Sequence, residues 1–262
     1  MEFSNCGDFY FDNFPLVMHK CRGMTFSHGF STRLGGITDD EDRGSLDLGA
    51  GDGEDVSENR KRFANALLSD TDVMFSAKQI HSDKILCVTK DDIGQYFECD
   101  GFVTSEKGIL LTVKIADCVP ILFEDVENGV IGASHAGWRG TVAGIAQKTI
   151  ESMEKLGAKR ENIIAVIGPS IHSCCYEVDD PFVCAVKGSP CAEIVLPFIS
   201  PKNKLGKYFA DLQGMNYALL SACGIQKIYV SPLCTCCNKD VLFSHRGSNG
   251  KRGLMMAWII MN

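Results

Sequence analysis

The segment ILLTVKIADCVPILFEDVENGVIGASHAGWRG (residues 109–140) decides most of the fold that the sequence predicts. Residues 111–115 alternate apolar and polar side chains, which is the pattern of a β-strand with one buried face. Two further apolar runs follow, and Asn128-Gly129 between them is a dipeptide typical of two-residue hairpin turns. The segment therefore predicts three consecutive strands, of which the last two form an antiparallel hairpin.

The rest of the chain mixes short apolar runs with amphipathic segments. Strands are predicted over residues 25–31, 73–88, 109–115, 119–124, 130–134, 163–167, 227–230 and 254–261. Apolar residues recur every three or four positions in three segments, which predict helices over residues 55–68, 141–156 and 211–223. The acidic, glycine-rich segment 39–53 is typical of a surface loop. Consecutive strands with intervening helices, and no linker or repeat, predict an α+β fold in one domain over residues 1–262.

The composition is that of a soluble globular protein, since 45% of the 262 residues are hydrophobic and 23% are charged. A net charge of −7 argues against long-range attraction to nucleic acid or to an anionic membrane. No run of about 18 apolar residues is present, so no membrane span is predicted. Residues 1–12 lack the features of a signal peptide, and the cysteine count of 13 is odd. We therefore expect a cytoplasmic protein with reduced thiols, and no oligomeric state is predicted.

Three potential metal ligands stand where predicted strands meet turns: His81, Cys118 and His135. Two imidazoles and one thiolate form a known catalytic zinc site, which leaves a fourth position for a water whose pKa falls to about 7. The ligand spacings of 37 and 17 residues match no compact metal motif. Two alternatives stay open: a Cys118/His135 nucleophile–base pair without metal, and a packed thiol with histidines that cap loops.

The predicted hairpin makes this metal site conditional on a bend in the chain. A two-residue turn places His135 opposite Leu122, four residues along the strand from Cys118. Four residues of strand span about 13 Å, which is too far for two ligands of one ion. The metal site therefore requires the chain to bend near Cys118, and Pro120 predicts the bend there because proline is poorly tolerated inside a central strand.

Five sequence blocks, taken together and in this order, closely resemble one known family. The blocks are HGFSTRLGG (28–36), KQIHSDK (78–84), ADCVPILF (116–123), SHAGWRGTVAGI (134–145) and GPSIHSCCYEV (168–178). They resemble the YfiH/YlmD-type proteins, the polyphenol oxidase or laccase-domain family, over residues 25–261. In that family the blocks that correspond to QIH, ADC and SHAGW supply zinc ligands. The resemblance therefore assigns Zn²⁺ to His81, Cys118 and His135.

The resemblance also implies a fold and an activity. The fold is a mixed β-sheet sandwich flanked by helices, related to a group of cysteine hydrolases. The activity is purine nucleoside chemistry: phosphorolysis of adenosine, inosine, guanosine and methylthioadenosine, and hydrolytic deamination of adenosine by attack of zinc-activated water at the purine C6. Six histidines are too few for a multicopper laccase. The alternatives are a hydrolase that removes an amino acid from peptidoglycan precursors, and a binding module that uses zinc structurally.

Four residues are candidates for holding a purine nucleoside and phosphate. Arg33 stands near two glycines and is a candidate phosphate clamp. Arg139 stands at a glycine-rich helix start, where the helix N-terminus favours anions. Trp138 and Tyr176 are candidates for packing against the base, although burial in the core is the usual role of such side chains.

Four more polar residues complete the predicted site. Asp47 stands where the family commonly has Asn, and this departure predicts an altered polar contact. Asp117 is a candidate for substrate binding, and Asp117 and Asp83 are candidates for proton transfer. Arg246 is a further binding candidate, although its segment SHRGSNGKRG (244–253) is shorter than the corresponding block of the family.

The remaining cysteine and histidine motifs give weaker signals. Cys234 and Cys237 have C-x-x-C spacing, and Cys174-Cys175 is an adjacent pair. A single C-x-x-C without a second such pair is a weak indication of zinc, so no second metal site is predicted. His19, like His172, is expected to make ordinary hydrogen bonds.

Overall fold

The computed structural model describes residues 7–13, 16–39, 45–49, 53–67 and 73–262 of the chain. The strands in these ranges are β1 (Phe9–Asp12), β2 (Met18–Cys21), β3 (Ser27–Ser31), β4 (Met74–Phe75), β5 (Ile85–Cys87), β6 (Gly101–Thr104), β7 (Leu110–Ile115), β8 (Val119–Asp125), β9 (Val130–Ala136), β10 (Ile164–Ile167), β11 (Glu177–Val178), β12 (Tyr208–Phe209), β13 (Lys227–Val230) and β14 (Met255–Ile260). The α-helices are α1 (Glu54–Leu67), α2 (Trp138–Val142), α3 (Ile145–Lys155), α4 (Asp180–Lys187), α5 (Ala192–Val195) and α6 (Leu212–Ala222).

Most strands belong to two six-stranded sheets. The first sheet has the order β1-β2-β3-β14-β7-β4, and the second has the order β13-β10-β8-β9-β6-β5. Most neighbours are antiparallel, but β4 is parallel to β7, β5 to β6, and β10 to β13. Strands β11 and β12 form a separate small pair. Both large sheets are therefore mixed.

The two large sheets pack against each other through a buried apolar layer. Phe30 of the first sheet and Phe102 of the second belong to this layer, and both are almost completely buried. Helices α3, α4 and α6 cover the outer face of the second sheet. Helix α1 covers the outer face of the first sheet, where Phe63 packs in one cluster with Trp258. The predicted α+β fold, a mixed sandwich flanked by helices, is confirmed. None of the described helices is long and apolar enough to cross a lipid bilayer.

Two predicted elements are interrupted in the structure. Gly144, with φ of 84°, divides the predicted helix 141–156 into α2 and α3. The predicted strand 73–88 keeps only β4 and β5 near its ends, because His81 between them has φ of 57°, which a strand cannot contain. Leu68, predicted to end the first helix, and part of the predicted loop (40–44 and 50–52) lie outside the described residues.

The hairpin between β8 and β9 closes with four residues, and the prediction of a two-residue turn is wrong. Asp125 accepts hydrogen bonds from the Asn128 backbone N–H at 3.1 Å and from its side chain at 2.7 Å. This side-chain bonding favours the longer loop, which a dipeptide preference does not capture. The register moves by two residues, so His135 pairs with Pro120 instead of Leu122.

The chain turns at Asp117, and the prediction of a bend at Pro120 is also wrong. Asp117 has φ of 93°, while Pro120 lies inside β8. The Pro120 carbonyl accepts a hydrogen bond from Gly168 N at 2.9 Å, so the strand continues through the proline. The turn before Cys118 and the shifted register of the hairpin together bring Cys118 close to His135.

We expect stability to fall as pH decreases from about 6.5 to about 4, because His19 is buried without its charge. Burial lowers the pKa of His19 from 6.5 to about 4, so the unfolded chain binds a proton that the folded chain does not. The loss reaches about 3 kcal/mol below that window. Thermal unfolding of His19→Asn across this pH range is expected to show a shallower decline than the wild type. His245→Asn, at an exposed histidine, is the matched control. Equal pH slopes for wild type and His19→Asn would contradict the prediction.

Candidate metal centre

The structure brings His81, Cys118 and His135 together at one end of the second sheet. His81 lies in the loop between β4 and β5, Cys118 immediately precedes β8, and His135 lies in β9. One nitrogen of each histidine and the Cys118 sulfur lie within 4.8 Å of one another. The two imidazole rings are nearly perpendicular, with centroids 5.0 Å apart. This grouping is compatible with bonds of about 2.0–2.3 Å to a single ion.

Asp100 accepts hydrogen bonds from two of the three candidate ligands. One carboxylate oxygen accepts hydrogen bonds from His135 Nδ1 at 2.9 Å and from His81 N at 3.0 Å. The other accepts from Ser82 N and Ser82 Oγ, both at 2.7 Å, and from Ile80 N at 3.3 Å. The bonds to residues 80–82 stabilise the unusual backbone of His81. The bond to Nδ1 leaves Nε2 of His135 for an ion, which is the usual arrangement behind a metal-binding histidine.

Gly137 closes the centre on the side of helix α2. A Cβ atom at this position would lie 3.0 Å from His81 Cδ2, 3.4 Å from Cys118 Sγ and 3.5 Å from His135 Cε1. Its φ of −64° is ordinary, so the glycine is required by space and not by backbone conformation. The HAGW block therefore contributes the candidate ligand His135 and, two residues later, Gly137, against which all three candidate ligands pack.

The electrostatics of the centre favour a charged pair. Burial raises the pKa of the Cys118 thiol, but the positive charge of His135 and hydrogen bonds from His135 and His81 outweigh burial and lower it. Burial lowers the pKa of His135, but the Cys118 thiolate and Asp100 outweigh burial and raise it. In the absence of an ion, both shifts favour a thiolate beside an imidazolium. A thiolate is the form that binds metal or acts as a nucleophile.

The centre opens into a cavity of about 580 Å³. The charged side chains in its lining are cationic, namely Arg60, Lys78, Lys114 and Arg252, and none of the described residues that line it is acidic. Lys78 is neutralised by an ion pair with Glu98 at 2.9 Å. The cavity side chains are Arg60, Met74, Ser76, Ala77, Lys78, Gln79, His81, Tyr96, Lys114, Ala116, Cys118, His135, Arg252, Leu254 and Met256.

The cationic wall of this cavity has unused hydrogen-bonding capacity. Arg252 Nε is buried without a hydrogen-bond partner among the described residues. Lys114 Nζ donates to the Ala77 carbonyl at 2.9 Å. Burial, followed by the nearby charge of Arg60, lowers the pKa of Lys114. An anion in the cavity would satisfy Arg252 and relieve the repulsion between Lys114 and Arg60.

Four of the predicted binding residues lie together in a second cavity and not in the first. Trp138, Arg139, Tyr176 and Arg246 line a space of about 630 Å³ beside helix α4. The Arg139 guanidinium lies 4.2 Å from the Trp138 ring centroid, and that of Arg246 lies 5.5 Å from the Tyr176 ring centroid. The structure thus separates the predicted site residues into a metal-facing set and a neighbouring aromatic–arginine set.

Arg33 and Asp47 do not line the metal-facing cavity. Arg33 Nη1 donates to the Lys239 carbonyl at 2.7 Å, and its guanidinium lies 5.0 Å from the Phe243 ring centroid. Asp47 accepts a hydrogen bond from Leu254 N at 2.9 Å. Because Leu254 belongs to the cavity wall, Asp47 supports the cavity from behind instead of facing it.

The two carboxylates predicted for proton transfer are engaged elsewhere. Asp117 accepts hydrogen bonds from Thr235 Oγ1 and from Arg246 N, both at 2.6 Å. Asp83 forms an ion pair with Lys148. Neither lines the metal-facing cavity, so the structure places no acidic group there for proton transfer among the residues that it describes.

Comparison with known proteins identifies the family. The family described as "Multi-copper polyphenol oxidoreductase laccase" matches residues 27–262. The chain belongs to this family. It is 36% identical to a "Purine nucleoside phosphorylase" of Deinococcus radiodurans over 245 residues, 93% of this chain and 92% of that one. It is also 36% identical to "Adenosine deaminase RL5" of an unknown prokaryotic organism over 202 residues, 73% of this chain and 76% of that protein.

A solved structure of the family has the same fold. The "hypothetical protein YfiH" of Bacillus licheniformis superposes with a TM-score of 0.88 at 33% identity. The match covers 96% of this chain and 99% of that one. The resemblance drawn from the five sequence blocks is therefore confirmed.

Sequence reasoning missed three residues around the cavity: Asp100, Arg60 and Lys114. Asp100 precedes β6, a strand that was not predicted, and no spacing connects it to His81 or His135. Lys114 occupies a polar position in an alternating strand, which is typical of an exposed face. Only the surrounding β4 loop and the segment before β14 turn that face into a cavity wall.

We expect Asp100→Asn to weaken metal binding by roughly 10- to 100-fold, because the orienting hydrogen bonds behind His81 and His135 lose their charged acceptor. A competition titration with a chromophoric chelator measures the affinity. Asp92→Asn, which alters a carboxylate that caps Thr89 outside the centre, is the matched control. Unchanged affinity in a folded Asp100→Asn protein would contradict this role.

We expect Gly137→Ala to lower metal affinity without unfolding the protein, because the added methyl group contacts all three ligand side chains. The same chelator titration, together with circular dichroism, measures the effect. Gly94→Ala, at a glycine with open space but positive φ, controls for the general effect of a glycine substitution. Native affinity in Gly137→Ala would show that the ligands do not depend on this contact.

Proposed function

We propose that this protein is a zinc-dependent purine nucleoside enzyme that cleaves adenosine, inosine, guanosine and methylthioadenosine by phosphorolysis and deaminates adenosine hydrolytically. The observation that carries the proposal is a His₂Cys cluster at the base of a cavity whose described charged lining is entirely cationic. A purine nucleoside and phosphate present a neutral base and an anion to such a cavity. The names of two relatives, which match 93% and 73% of this chain, support the same chemistry.

His81, Cys118 and His135 would hold the zinc ion. Two imidazoles and a thiolate fit zinc, and the cavity beside them leaves room for a further ligand. When bound, zinc acts as a Lewis acid and lowers the pKa of water. Asp100 fixes the orientation of the His135 ring through Nδ1, so that its other nitrogen faces the centre. Although the family description refers to copper, among the described groups that could hold a metal only this one contains histidine.

Arg252, Arg60 and Lys114 form the proposed phosphate site. Arg252 carries an unpartnered, buried Nε, and Lys114 and Arg60 repel each other in the absence of an anion. Phosphate bound between them would be oriented toward the ribose C1′ of a nucleoside in the same cavity. These residues replace Arg33 as the proposed clamp, since Arg33 does not line the cavity.

The base is proposed to lie between the cavity rim and its apolar wall. Tyr96 stands in the cavity lining with 72% of its surface exposed, which leaves its ring available for stacking. Met74 and Met256 provide flexible apolar surface on the wall. Phosphorolysis has more support than deamination, because deamination requires a proton shuttle and the described lining of the cavity has no carboxylate.

A hydrolase that removes an amino acid from a peptidoglycan precursor is the second candidate. Cys118, His135 and Asp100 form a chain of nucleophile, base and orienting carboxylate, with His135 Nδ1 2.9 Å from the Asp100 oxygen. Such an enzyme would work without phosphate and would keep its activity after the metal is removed. Alkylation of Cys118 would abolish it.

We expect His81→Ala and Cys118→Ala each to abolish release of hypoxanthine from inosine in phosphate buffer while the fold is retained. Both variants remove a ligand of the zinc that the proposal requires. His245→Ala, at an exposed histidine outside the cavity, is expected to retain wild-type turnover. Chromatographic measurement of the released base tests the prediction. Wild-type turnover in both variants would show that His81, Cys118 and His135 take no part in catalysis.

We expect Arg252→Gln to reduce kcat/KM for phosphate by roughly 10- to 100-fold, the effect of losing one charged hydrogen-bond donor. Adenosine deamination, which uses no phosphate, is expected to change much less. Arg62→Gln on α1 is the matched charge control, since Arg62 is paired with Glu58 on the surface. An equal loss of both activities would show that Arg252 supports the fold and not the phosphate.

A further inference from the structure

Four cysteine sulfurs form a second cluster outside the site described above. Cys174 and Cys175 lie in the loop between β10 and β11, while Cys234 and Cys237 lie in the loop after β13. The four sulfurs lie within 4.8 Å of one another. These cysteines include the C-x-x-C pair whose partner was not recognisable from sequence spacing.

Four of the six sulfur–sulfur distances in the cluster are close to those of a tetrahedron around one ion, and the other two lie within 4.8 Å. The Cys174 sulfur lies 3.6 Å from Cys175, 3.8 Å from Cys234 and 3.6 Å from Cys237, and Cys175 lies 3.5 Å from Cys237. Four thiolates bound to zinc at about 2.3 Å are about 3.8 Å apart. A disulfide instead brings one pair to about 2.05 Å, whereas these separations are nearly equal. The sulfurs therefore surround a common centre and do not form pairs.

Backbone groups stabilise thiolate charge at one of the four sulfurs, that of Cys234. The Cys234 sulfur accepts a hydrogen bond from His172 N at 3.4 Å and another from the Cys237 backbone. The Cys234 carbonyl accepts from Asn238 N at 3.1 Å and from the Asn238 side chain at 2.8 Å, which closes the turn between the two C-x-x-C sulfurs. The Arg246 side chain donates to the Glu177 carbonyl at 2.9 Å, which places a positive charge next to the first loop.

We propose that Cys174, Cys175, Cys234 and Cys237 bind a second zinc ion with a structural role. The site is closed, because all four positions of a tetrahedral ion are filled by protein sulfur and none remains for substrate. This proposal does not depend on the proposed function, since it rests on a cluster that shares no residue with the first.

The proposed ion would link the loop after β10 to the loop after β13, and both loops contact the turn that precedes Cys118. Thr235 N donates to the Ser170 carbonyl at 3.0 Å, which joins the loops at one further point. Ile171 N donates to the Asp117 carbonyl at 2.9 Å, and Thr235 Oγ1 donates to the Asp117 carboxylate at 2.6 Å. Asp117 is the turn residue immediately before Cys118. The second ion would therefore fix the turn that positions a ligand of the first.

Zinc content in a background without the first site tests the proposal. The double variant His81→Ala/His135→Ala, purified with reductant and zinc, is expected to retain one zinc per chain, and the wild type two. Adding Cys237→Ser or Cys174→Ser to the double variant is expected to remove that zinc, whereas Cys184→Ser, at an exposed thiol on α4, is expected to leave it. A zinc-free double variant, or zinc that survives Cys237→Ser, would overturn the proposal. Wild-type activity in the double variant would count against the proposed function alone, because that variant lacks two ligands of the first ion.

X-ray absorption of the zinc-loaded double variant identifies the ligands directly. Four sulfur neighbours at about 2.3 Å are expected, and a shell that requires nitrogen or oxygen would contradict a four-thiolate site.

Alkylation of the wild-type protein tests the same proposal without a cysteine substitution, and it therefore applies even if a cysteine variant does not fold. Cys174 and Cys237 are exposed, yet they are expected to resist iodoacetamide until a strong chelator is added. Cys87 and Cys184, also exposed, are expected to react at once. Mass spectrometry of the peptides measures each position. The proposal would be overturned if Cys174 and Cys237 reacted as fast as Cys87 and Cys184 before the chelator is added. A disulfide between Cys174 and Cys175 in the presence of reductant would also overturn it.

Discussion

The candidate metal centre depends on the hydrogen bonds of the buried Asp100 carboxylate. The carboxylate is completely buried, and a charge in that position is tolerated only when hydrogen bonds replace the water that it has lost. Burial raises the pKa of Asp100, but the hydrogen bonds from His135 and Ser82 outweigh burial and lower it. The same bonds stabilise the left-handed backbone of His81. The requirement to satisfy one buried charge thus places two candidate ligands, His81 and His135, from distant parts of the chain.

The rest of the centre follows from the geometry of the second sheet. The β8–β9 hairpin register places His135 opposite Pro120, and the turn at Asp117 brings Cys118 back toward it. Gly137 removes the side chain that would otherwise fill the space between the ligands. The geometry of the centre therefore depends on the β8–β9 register, on the left-handed backbone of Asp117 and on the absence of a side chain at Gly137.

The charge of the cavity contrasts with the charge of the molecule. The protein as a whole carries a net charge of −7, but the described charged side chains that line the metal-facing cavity are all basic. A small anion is attracted locally in spite of the overall charge, because field lines concentrate in a cleft with low-dielectric walls. Arg246, which lines the second cavity with Trp138, Tyr176 and Arg139, donates its backbone N–H to the Asp117 carboxylate at 2.6 Å. Asp117 also accepts from Thr235 Oγ1 at 2.6 Å, so it joins this cavity to the cysteine-rich loop after β13.

The sequence by itself determined the fold class, the family and the three candidate ligands, because these depend on local periodicity and on blocks of contiguous residues. The hairpin register, the turn at Asp117, the role of Asp100 and the cationic cavity wall depended on tertiary structure. Each of them arises from contacts between segments far apart in the chain, such as Asp100 with His135 or Lys114 with the β4 loop. The four-cysteine cluster shows the same division. The sequence contains the cysteines, but only the packing of the loop after β10 against the loop after β13 brings two weak motifs to a common centre.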